Sequence, residues 1–294
     1  MEQIWTVKRI LDWIEGYLAE KGIDNPKLSA QWLVSDALGC SRLELYTDLD
    51  RPLTDVEREM LRDFTKRRGS GEPLQYITGK TDFRFITLKV QPDVLIPRPE
   101  TEVLVSEALS ACSVSPDKEE FIAVDLCTGS GNIACSLAHE LPNAQIFATD
   151  ISPAACALAL HNAESLGLSD RLSVLEGNLG SALPADLKGR VELLISNPPY
   201  IPSGVLASMD AEVVDYEPAL ALDGGDDGLD IFRRILVVAQ DFLCPAGIMA
   251  VELFEESLEN AAQLSRDAGF QNVRIATDLA KKPRILIAQY SRST

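Results

Sequence analysis

From Ile122 to Tyr290 short β-rich runs recur between helical stretches, and this alternation constrains the fold more than any other feature of the chain. The runs are Ile122–Asp125, Gln145–Asp150, Leu172–Leu175, Val191–Ile195, Gly247–Glu252, Val273–Ala276 and Arg284–Tyr290. Strand followed by helix, repeated, predicts an α/β domain with a mainly parallel sheet covered on both faces, because a parallel neighbour is reached only through a crossover. Ligands of such open sheets bind beyond the carboxyl ends of the strands, so the residues directly after each run are where chemistry is expected.

Upstream the periodicity is different. Apolar residues at Ile4, Val7, Leu11, Ile14 and Leu18 recur at spacings of three and four, the period of an amphipathic helix. A second helix is expected after Pro26, ending at Gly39, and a third opens at Thr54 with Glu57 three residues on, a capping-box pattern. Around Gly79 the pattern turns strand-like at Phe83, Phe85, Thr87 and Lys89, then again at Val94–Ile96, with Gln91-Pro92-Asp93 read as the turn of a β-hairpin. At 294 residues the chain exceeds the usual single domain. The expected organisation is a small helical domain over 1–78, a hairpin linker over 79–97 and a larger α/β domain over 98–294.

Composition narrows the function classes. The net charge of −18 repels phosphate backbones, which disfavours nucleic acid as a direct substrate and favours a basic protein partner. The six cysteines form no C-x-x-C pair and read as reduced core thiols. The two histidines, His139 and His161, fall in helical stretches without ligand-like spacing, so no metal site is expected. The N-terminus lacks the apolar segment of a signal peptide and no run reaches the ~18 apolar residues of a membrane span, which points to the cytoplasm and away from a membrane. The Asp223-Gly-Gly-Asp-Asp-Gly228 run departs from calcium-loop spacing and reads as a turn.

Two strand ends carry a nucleotide-like signal. After the first run of the α/β domain comes Asp125-Leu-Cys-Thr-Gly129-Ser-Gly131, whose glycines permit a tight turn and close approach of a ligand to backbone. The next run ends in Asp150, placed to accept hydrogen bonds from both hydroxyls of a ribose. Gly129-x-Gly131-x-x-Ala134 equally satisfies a dinucleotide fingerprint, so at this point a nicotinamide dehydrogenase and a nucleoside-cofactor transferase both remain open.

Asn197-Pro198-Pro199-Tyr200, after the fourth run, separates them. Two prolines fix φ and remove N–H donors, leaving a rigid loop that offers carbonyls and the Asn197 amide. An NH₂ conjugated to a carbonyl or ring attacks a methyl group poorly unless oriented and made electron-rich. The Asn197 side-chain oxygen and the Pro198 carbonyl are suited to accept its two protons, and Tyr200 to pack on the planar group. No metal and no strong base are then required, and a dehydrogenase has no use for such a loop.

The chain resembles the release-factor glutamine methyltransferases, the HemK family, over nearly its whole length. The resemblance rests on Glu72-Pro-Leu-Gln-Tyr-Ile-Thr-Gly79, Leu95-Ile-Pro-Arg-Pro-Glu-Thr-Glu102, the Asp125–Gly131 loop, Asn197-Pro-Pro-Tyr-Ile201, and Tyr216-Glu-Pro218 running to Asp227-Gly228-Leu229. It implies a seven-stranded, Rossmann-like class I methyltransferase domain with an antiparallel last strand, preceded by a helical substrate-recognition domain and a β-hairpin linker. It implies S-adenosylmethionine as cofactor, S-adenosylhomocysteine as product, and N5 methylation of the glutamine in the Gly-Gly-Gln tip of peptide chain release factors. Carried over residue by residue, Cys127, Thr128, Gly129, Ser130 and Gly131 line the methionine and ribose part of the cofactor, Asp150 binds the ribose hydroxyls and Leu179 lies against adenine. Asn197, Pro198, Pro199 and Tyr200 hold the substrate amide; Asn197 also borders the cofactor, and Asn197, Pro198 and Tyr200 are the expected catalytic groups. Arg98 and Glu100 either organise the rim or form a structural ion pair.

The chain departs from the family pattern at several places. Cys127 stands where glycine is usual, Asn178 where an acidic residue is common, Leu-Phe-Glu-Glu follows Glu252 in place of the usual Gly and Gln, and Lys281-Lys282 replaces a glycine before Arg284. Alternatives at this stage are amino-methylation of a nucleic-acid base, which shares the Asn197–Tyr200 tetrapeptide, methylation of a ribosomal-protein glutamine, and a non-catalytic module that has kept the fold.

Overall fold

The structure is a computed structural model, and it describes residues 4–112, 121–206 and 216–291. The chain divides into two compact units, 1–80 with 211–216, and 81–210 with 217–294.

The first unit is helical: α1 (Val7–Glu20), α2 (Pro26–Leu38), α3 (Asp55–Gly69) and α4 (Leu74–Thr78). Helix α1 begins three residues later than the apolar spacing suggests. Thr6 caps it by accepting from Arg9 N, and Ile4 lies outside it, 69% exposed. Thr54 and Glu57 form the capping box expected of α3, and Gly39 in the left-handed region ends α2. Ile10, Ile14, Leu18, Leu33, Val34, Leu61 and Ile77 close the core of this unit.

A two-stranded hairpin follows, β1 (Lys80–Phe83) and β2 (Ile86–Lys89). Its turn is Arg84-Phe85, with Arg84 at φ +52, and not the expected Gln91-Pro92-Asp93. The Arg84 guanidinium stabilises that turn by a two-point ion pair with Glu140 and by donating to the Glu102 carbonyl. Val94–Ile96 is not a strand, although Val94 and Ile96 are buried.

The main sheet holds seven strands in the order β5-β4-β3-β6-β7-β9-β8: β3 (Phe121–Leu126), β4 (Ala144–Asp150), β5 (Leu172–Glu176), β6 (Val191–Ser196), β7 (Leu243–Glu252), β8 (Phe270–Thr277) and β9 (Pro283–Tyr290). Strands β3 to β7 run parallel, and β9 inserts antiparallel between β7 and β8. All seven β-rich runs of the sequence are strands, and the last is the antiparallel one. Along β3 the side chains alternate between two apolar layers. Phe121 and Ala123 face the layer holding Leu104 and Val105 of α5 (Pro99–Cys112) and Ile133 and Leu137 of α6 (Asn132–Glu140), where α7 (Pro153–Ser165) contributes Ala163. Ile122, Val124 and Leu126 face the other, with Phe232 and Ile235 of the helix Asp230–Phe242 and Leu258 and Ala261 of the helix Leu258–Asp267. A strand buried on both faces is apolar at nearly every position, which is why these runs read as near-continuous apolar segments.

The connection order reverses between β3 and β6, so their carboxyl ends diverge into a crevice, the topological switch point of an open α/β sheet.

Candidate active site

A cavity of about 710 Å³ occupies that crevice, within the second unit. Four strand ends line it: Cys127–Ser130 after β3, Asp150–Ser152 after β4, Asn178 and Leu179 after β5, and Asn197 and Pro199 after β6. Val94, Leu95 and Ile96 form part of its wall, which accounts for apolar residues that belong to no strand.

The loop after β3 is held by its backbone. Thr128 N donates to the Thr149 carbonyl at 3.0 Å, Gly131 N to the Thr128 carbonyl at 2.8 Å, and Gly129 N to Asp150 Oδ2 at 2.9 Å. Gly131 has φ +79, and a Cβ there would lie 3.0 Å from Ala159 Cβ and 3.1 Å from its Cα, so helix α7 passes too close for a side chain. Buried Asn162 on α7 ties this loop to the hairpin by donating to the Ser130 carbonyl and pairing with both backbone groups of Lys89. Nothing in the residue pattern marked Asn162 beyond its being a polar residue in an alanine- and leucine-rich helix.

Asp150 accepts from Gly129 N on one oxygen and from Ser152 N, at 2.9 Å, on the other. Each oxygen keeps a lone pair for a further donor, as binding two adjacent hydroxyls requires. Ser130 Oγ is buried without a partner and lines the cavity. At the β5 end, Arg234 donates to Asn178 Oδ1 at 2.6 Å, and both side chains line the cavity beside Leu179, which sits at φ +53.

Two departures noted in the sequence coincide with left-handed backbone. Cys127 lies at φ +60 and Lys281 at φ +64. Glycine adopts this region freely, whereas other L-residues do so at a cost of roughly 1–2 kcal/mol, which is the physical reason a glycine is expected at both. Burial pushes the Cys127 thiol up to about 12, so it stays protonated. Of the six cysteines only Cys135 is fully buried, so the expectation of core thiols holds for that one and the other five are partly exposed.

The loop after β6 is built by long-range contacts. Register pairs Ser196 with Val251, so Glu252 emerges beside Asn197. Asn197 Nδ2 donates to Thr101 Oγ1 at 3.0 Å, Thr101 Oγ1 donates to Glu252 Oε2 at 2.8 Å, and Tyr200 Oη donates to Glu252 Oε1 at 2.9 Å. Thr101 and Glu252 are buried, and burial pushes the Glu252 carboxyl above the usual carboxylate range, opposed by its two hydroxyl donors and the Arg284 charge. The Tyr200 phenol is likewise raised well above its ordinary value by burial and by the adjacent Glu252.

Downstream, Ile201 N donates to the Leu222 carbonyl and Gly224 N to the Ile201 carbonyl, both at 2.9 Å. The Asp223–Gly228 run therefore forms a turn that clasps the tetrapeptide. Gly228, at φ +73, lies so close that a Cβ would sit 2.4 Å from the Tyr200 carbonyl oxygen. Arg98, partly exposed, pairs with buried Glu217 at 2.5 Å, a structural ion pair at the cavity wall.

The structure brings Cys127, Thr128, Gly129, Ser130, Asp150, Leu179, Asn197 and Pro199 onto one cavity, and Gly131, Pro198 and Tyr200 stand outside its lining. Tyr200 turns its hydroxyl to Glu252. Thr101 and Glu252 are the members that residue types alone did not single out, although Thr101 lies within the Ile-Pro-Arg-Pro-Glu-Thr-Glu run.

The chain matches the PrmC N-terminal domain family over residues 9–79 and the methyltransferase small domain family over residues 102–215. It is 43% identical to the release factor glutamine methyltransferase of Geobacter sulfurreducens, over 94% of each chain. The same-named protein of Moorella thermoacetica is 39% identical, over 96% of this chain and 98% of its own. This chain belongs to the release factor glutamine methyltransferase family. Its fold is that of a methyltransferase from Pyrococcus furiosus, with a TM-score of 0.51 at 18% identity over 69% of this chain and 88% of that one. It is also that of the hMettl16 catalytic domain, with a TM-score of 0.56 at 16% identity over 83% and 86%. The family membership sets aside the dehydrogenase reading of the glycine loop, and the enzyme is a methyltransferase. Among the described residues no helix is long and apolar enough to cross a membrane.

Proposed function

We propose that this enzyme transfers a methyl group from S-adenosylmethionine to the side-chain amide nitrogen of the glutamine in the Gly-Gly-Gln motif of peptide chain release factors, in the cytoplasm, leaving S-adenosylhomocysteine. The observation that carries the reading is the Asn197 amide at the edge of the cavity, its Nδ2 engaged by Thr101 and its oxygen turned away from that contact.

The cavity volume lies in the range of small-molecule sites, and its polar groups fit the proposed cofactor. Asp150 would take the ribose hydroxyls, Leu179 and Ile151 the adenine faces, and the Cys127–Gly131 loop with the unpartnered Ser130 hydroxyl the methionine end. When bound, the cofactor supplies a methyl group activated by its positively charged sulfur.

The protein's part is orientation. The lone pair of an amide nitrogen is delocalised into its carbonyl, so the nitrogen attacks poorly, positive charge grows on it as it takes the methyl, and one of its two protons must then leave to solvent. Asn197 Oδ1 and the Pro198 carbonyl would accept its two protons and stabilise that charge in the transition state more than in the ground state. Holding the nitrogen about 3 Å from the methyl, in line with the departing sulfur, is worth several kcal/mol more.

The test is mass spectrometry of a purified, unmethylated release factor after incubation with the enzyme and S-adenosylmethionine. A gain of one CH₂ on the Gly-Gly-Gln glutamine supports the reading. Label found only on a ribosomal protein or on nucleic acid refutes it.

A further inference from the structure

We propose that Thr101, backed by Glu252, is the positioning residue that decides which end of the Asn197 amide meets the substrate, and so restricts the enzyme to substrates that bring an N–H donor. This rests on the assignment of Asn197 as the group that holds the substrate nitrogen.

Asn197 has two nearly isosteric faces, an oxygen that accepts and an NH₂ that donates, and only the first can receive the protons of an incoming NH₂. Rotation of the side chain by half a turn would present donor to donor. Local sequence does not choose between them, since the rigid prolines fix the backbone and leave the amide free to rotate.

The choice is made by a chain of hydrogen bonds that runs through buried groups far apart in sequence. Glu252 closes β7 with its carboxyl buried, and in the structure both of its oxygens act as acceptors. Its oxygens are taken by the Thr101 hydroxyl at 2.8 Å and the Tyr200 hydroxyl at 2.9 Å, each of which has a single proton to give. With its proton committed to Glu252, Thr101 Oγ1 offers Asn197 only a lone pair, and the amide answers with Nδ2 at 3.0 Å. The flipped amide would set its oxygen against that lone pair. Thr101 is fully buried in the first turn of α5. The same carboxylate anchors Tyr200, so one acidic group orders both polar ends of the tetrapeptide.

Two substitutions separate this from a packing role. Thr101→Val keeps the shape and removes the hydroxyl; Thr101→Ser keeps the hydroxyl and removes a methyl. If Thr101 serves by packing, Val is tolerated and Ser is harmful; if it orients Asn197, the order reverses. The measurements are kcat and KM for methyl transfer to an unmethylated release factor, calorimetric binding of S-adenosylmethionine, and the side-chain ¹H–¹⁵N signal of Asn197, assigned by its loss in Asn197→Ala.

Val is expected to lower kcat by about tenfold, the factor of one ordinary hydrogen bond, to leave cofactor affinity within about twofold, and to move the Asn197 signal. Ser is expected to restore most of the rate and the wild-type signal position. Should Val fail to fold, Thr101→Ala against Thr101→Ser gives the same comparison, since the two differ only by the hydroxyl. Wild-type turnover in Val, or a loss in Ser as deep as in Val, overturns the proposal. If the wild-type enzyme methylates no release factor, the glutamine reading fails by itself. The amide signal then decides alone, and an unmoved signal in Val overturns the relay.

Discussion

Asp125, one residue before the end of β3, has 0% of its surface exposed, and Thr128 Oγ1 donates to its Oδ2 at 2.5 Å. Burial pushes its carboxyl up from 3.8 to about 7; the Thr128 hydroxyl and the Ala134 N–H oppose the rise and the Asp150 charge adds to it. The folded value lies above the unfolded one, so as pH rises the unfolded chain releases this proton first. The associated stability is complete below about pH 4 and is lost progressively as pH rises through about 7. A difference of about three units at ~1.36 kcal/mol each sets the loss at up to ~4 kcal/mol. Asp125→Asn keeps the shape and removes the titration. The informative quantity is therefore the difference in unfolding free energy between the two proteins across pH, in which the titrating groups that do not interact with Asp125 cancel. All three tryptophans, Trp5, Trp13 and Trp32, lie in the first unit, so the assay needs far-UV circular dichroism or calorimetry, because indole fluorescence would follow the wrong unit. The expected result is a wild-type protein that loses a few kcal/mol relative to the variant between about pH 4 and pH 8. A difference that stays flat across that range would refute the argument, showing that Asp125 ionises at its ordinary value.

Three further outcomes follow from the site. Asn197→Ala is expected to lower turnover by ~10²-fold or more while leaving S-adenosylmethionine affinity nearly unchanged, because the lost interaction strengthens in the transition state; steady-state kinetics beside calorimetry reads this, and equal losses in both contradict the role. Gly228→Ala puts a Cβ 2.4 Å from the Tyr200 carbonyl oxygen at φ +73, so it should cost roughly 1–3 kcal/mol in thermal unfolding and displace Tyr200; an unchanged Tm shows the turn to be compliant. Arg98→Ala removes a countercharge from Glu217, whose side chain is 1% exposed; because the Arg98 side chain is itself 35% exposed, solvent screens the pair and the loss should be about 1–2 kcal/mol. Adding Glu217→Gln should recover part of that loss, and a pair of additive effects in a double-mutant cycle would show that the two side chains do not interact energetically.

What was legible in the sequence was what neighbouring residues determine among themselves. The capping box at Thr54, the stop at Gly39 and the doubly buried strands each follow from a short stretch of chain, and all were found where the pattern placed them. The hairpin was misplaced for the same reason. Phe83, Phe85 and Thr87 alternate as one strand would, but the turn falls at Arg84-Phe85 because Glu140, distant in sequence, holds the Arg84 guanidinium. Val94–Ile96 has the composition of a strand and the position of a cavity wall, and only the fold distinguishes the two.

The site divides along the same line. A glycine requirement is local, so the Cys127 and Lys281 departures could be noticed from residue type, and their left-handed backbone explains why they stood out. A hydrogen-bond direction is not local. Glu252 reads in sequence as the last residue of a strand, Thr101 as one position in a proline-bounded run, and Asn197 as an amide with two interchangeable faces. Their separation by 96 residues in one pair and 151 in the other leaves no periodic or compositional trace. Yet the sheet order puts β6 beside β7, the register pairs Ser196 with Val251, and the next residue on each strand is then Asn197 on one and Glu252 on the other. The tetrapeptide supplies the groups that would hold a substrate nitrogen, whereas the buried Glu252 carboxyl, whose two oxygens accept from Thr101 and Tyr200, would set which of those groups faces outward. A chain that kept Asn197–Tyr200 but lost the acceptor at 252 would still look competent in sequence, while its Asn197 amide would have no reason to present oxygen over nitrogen.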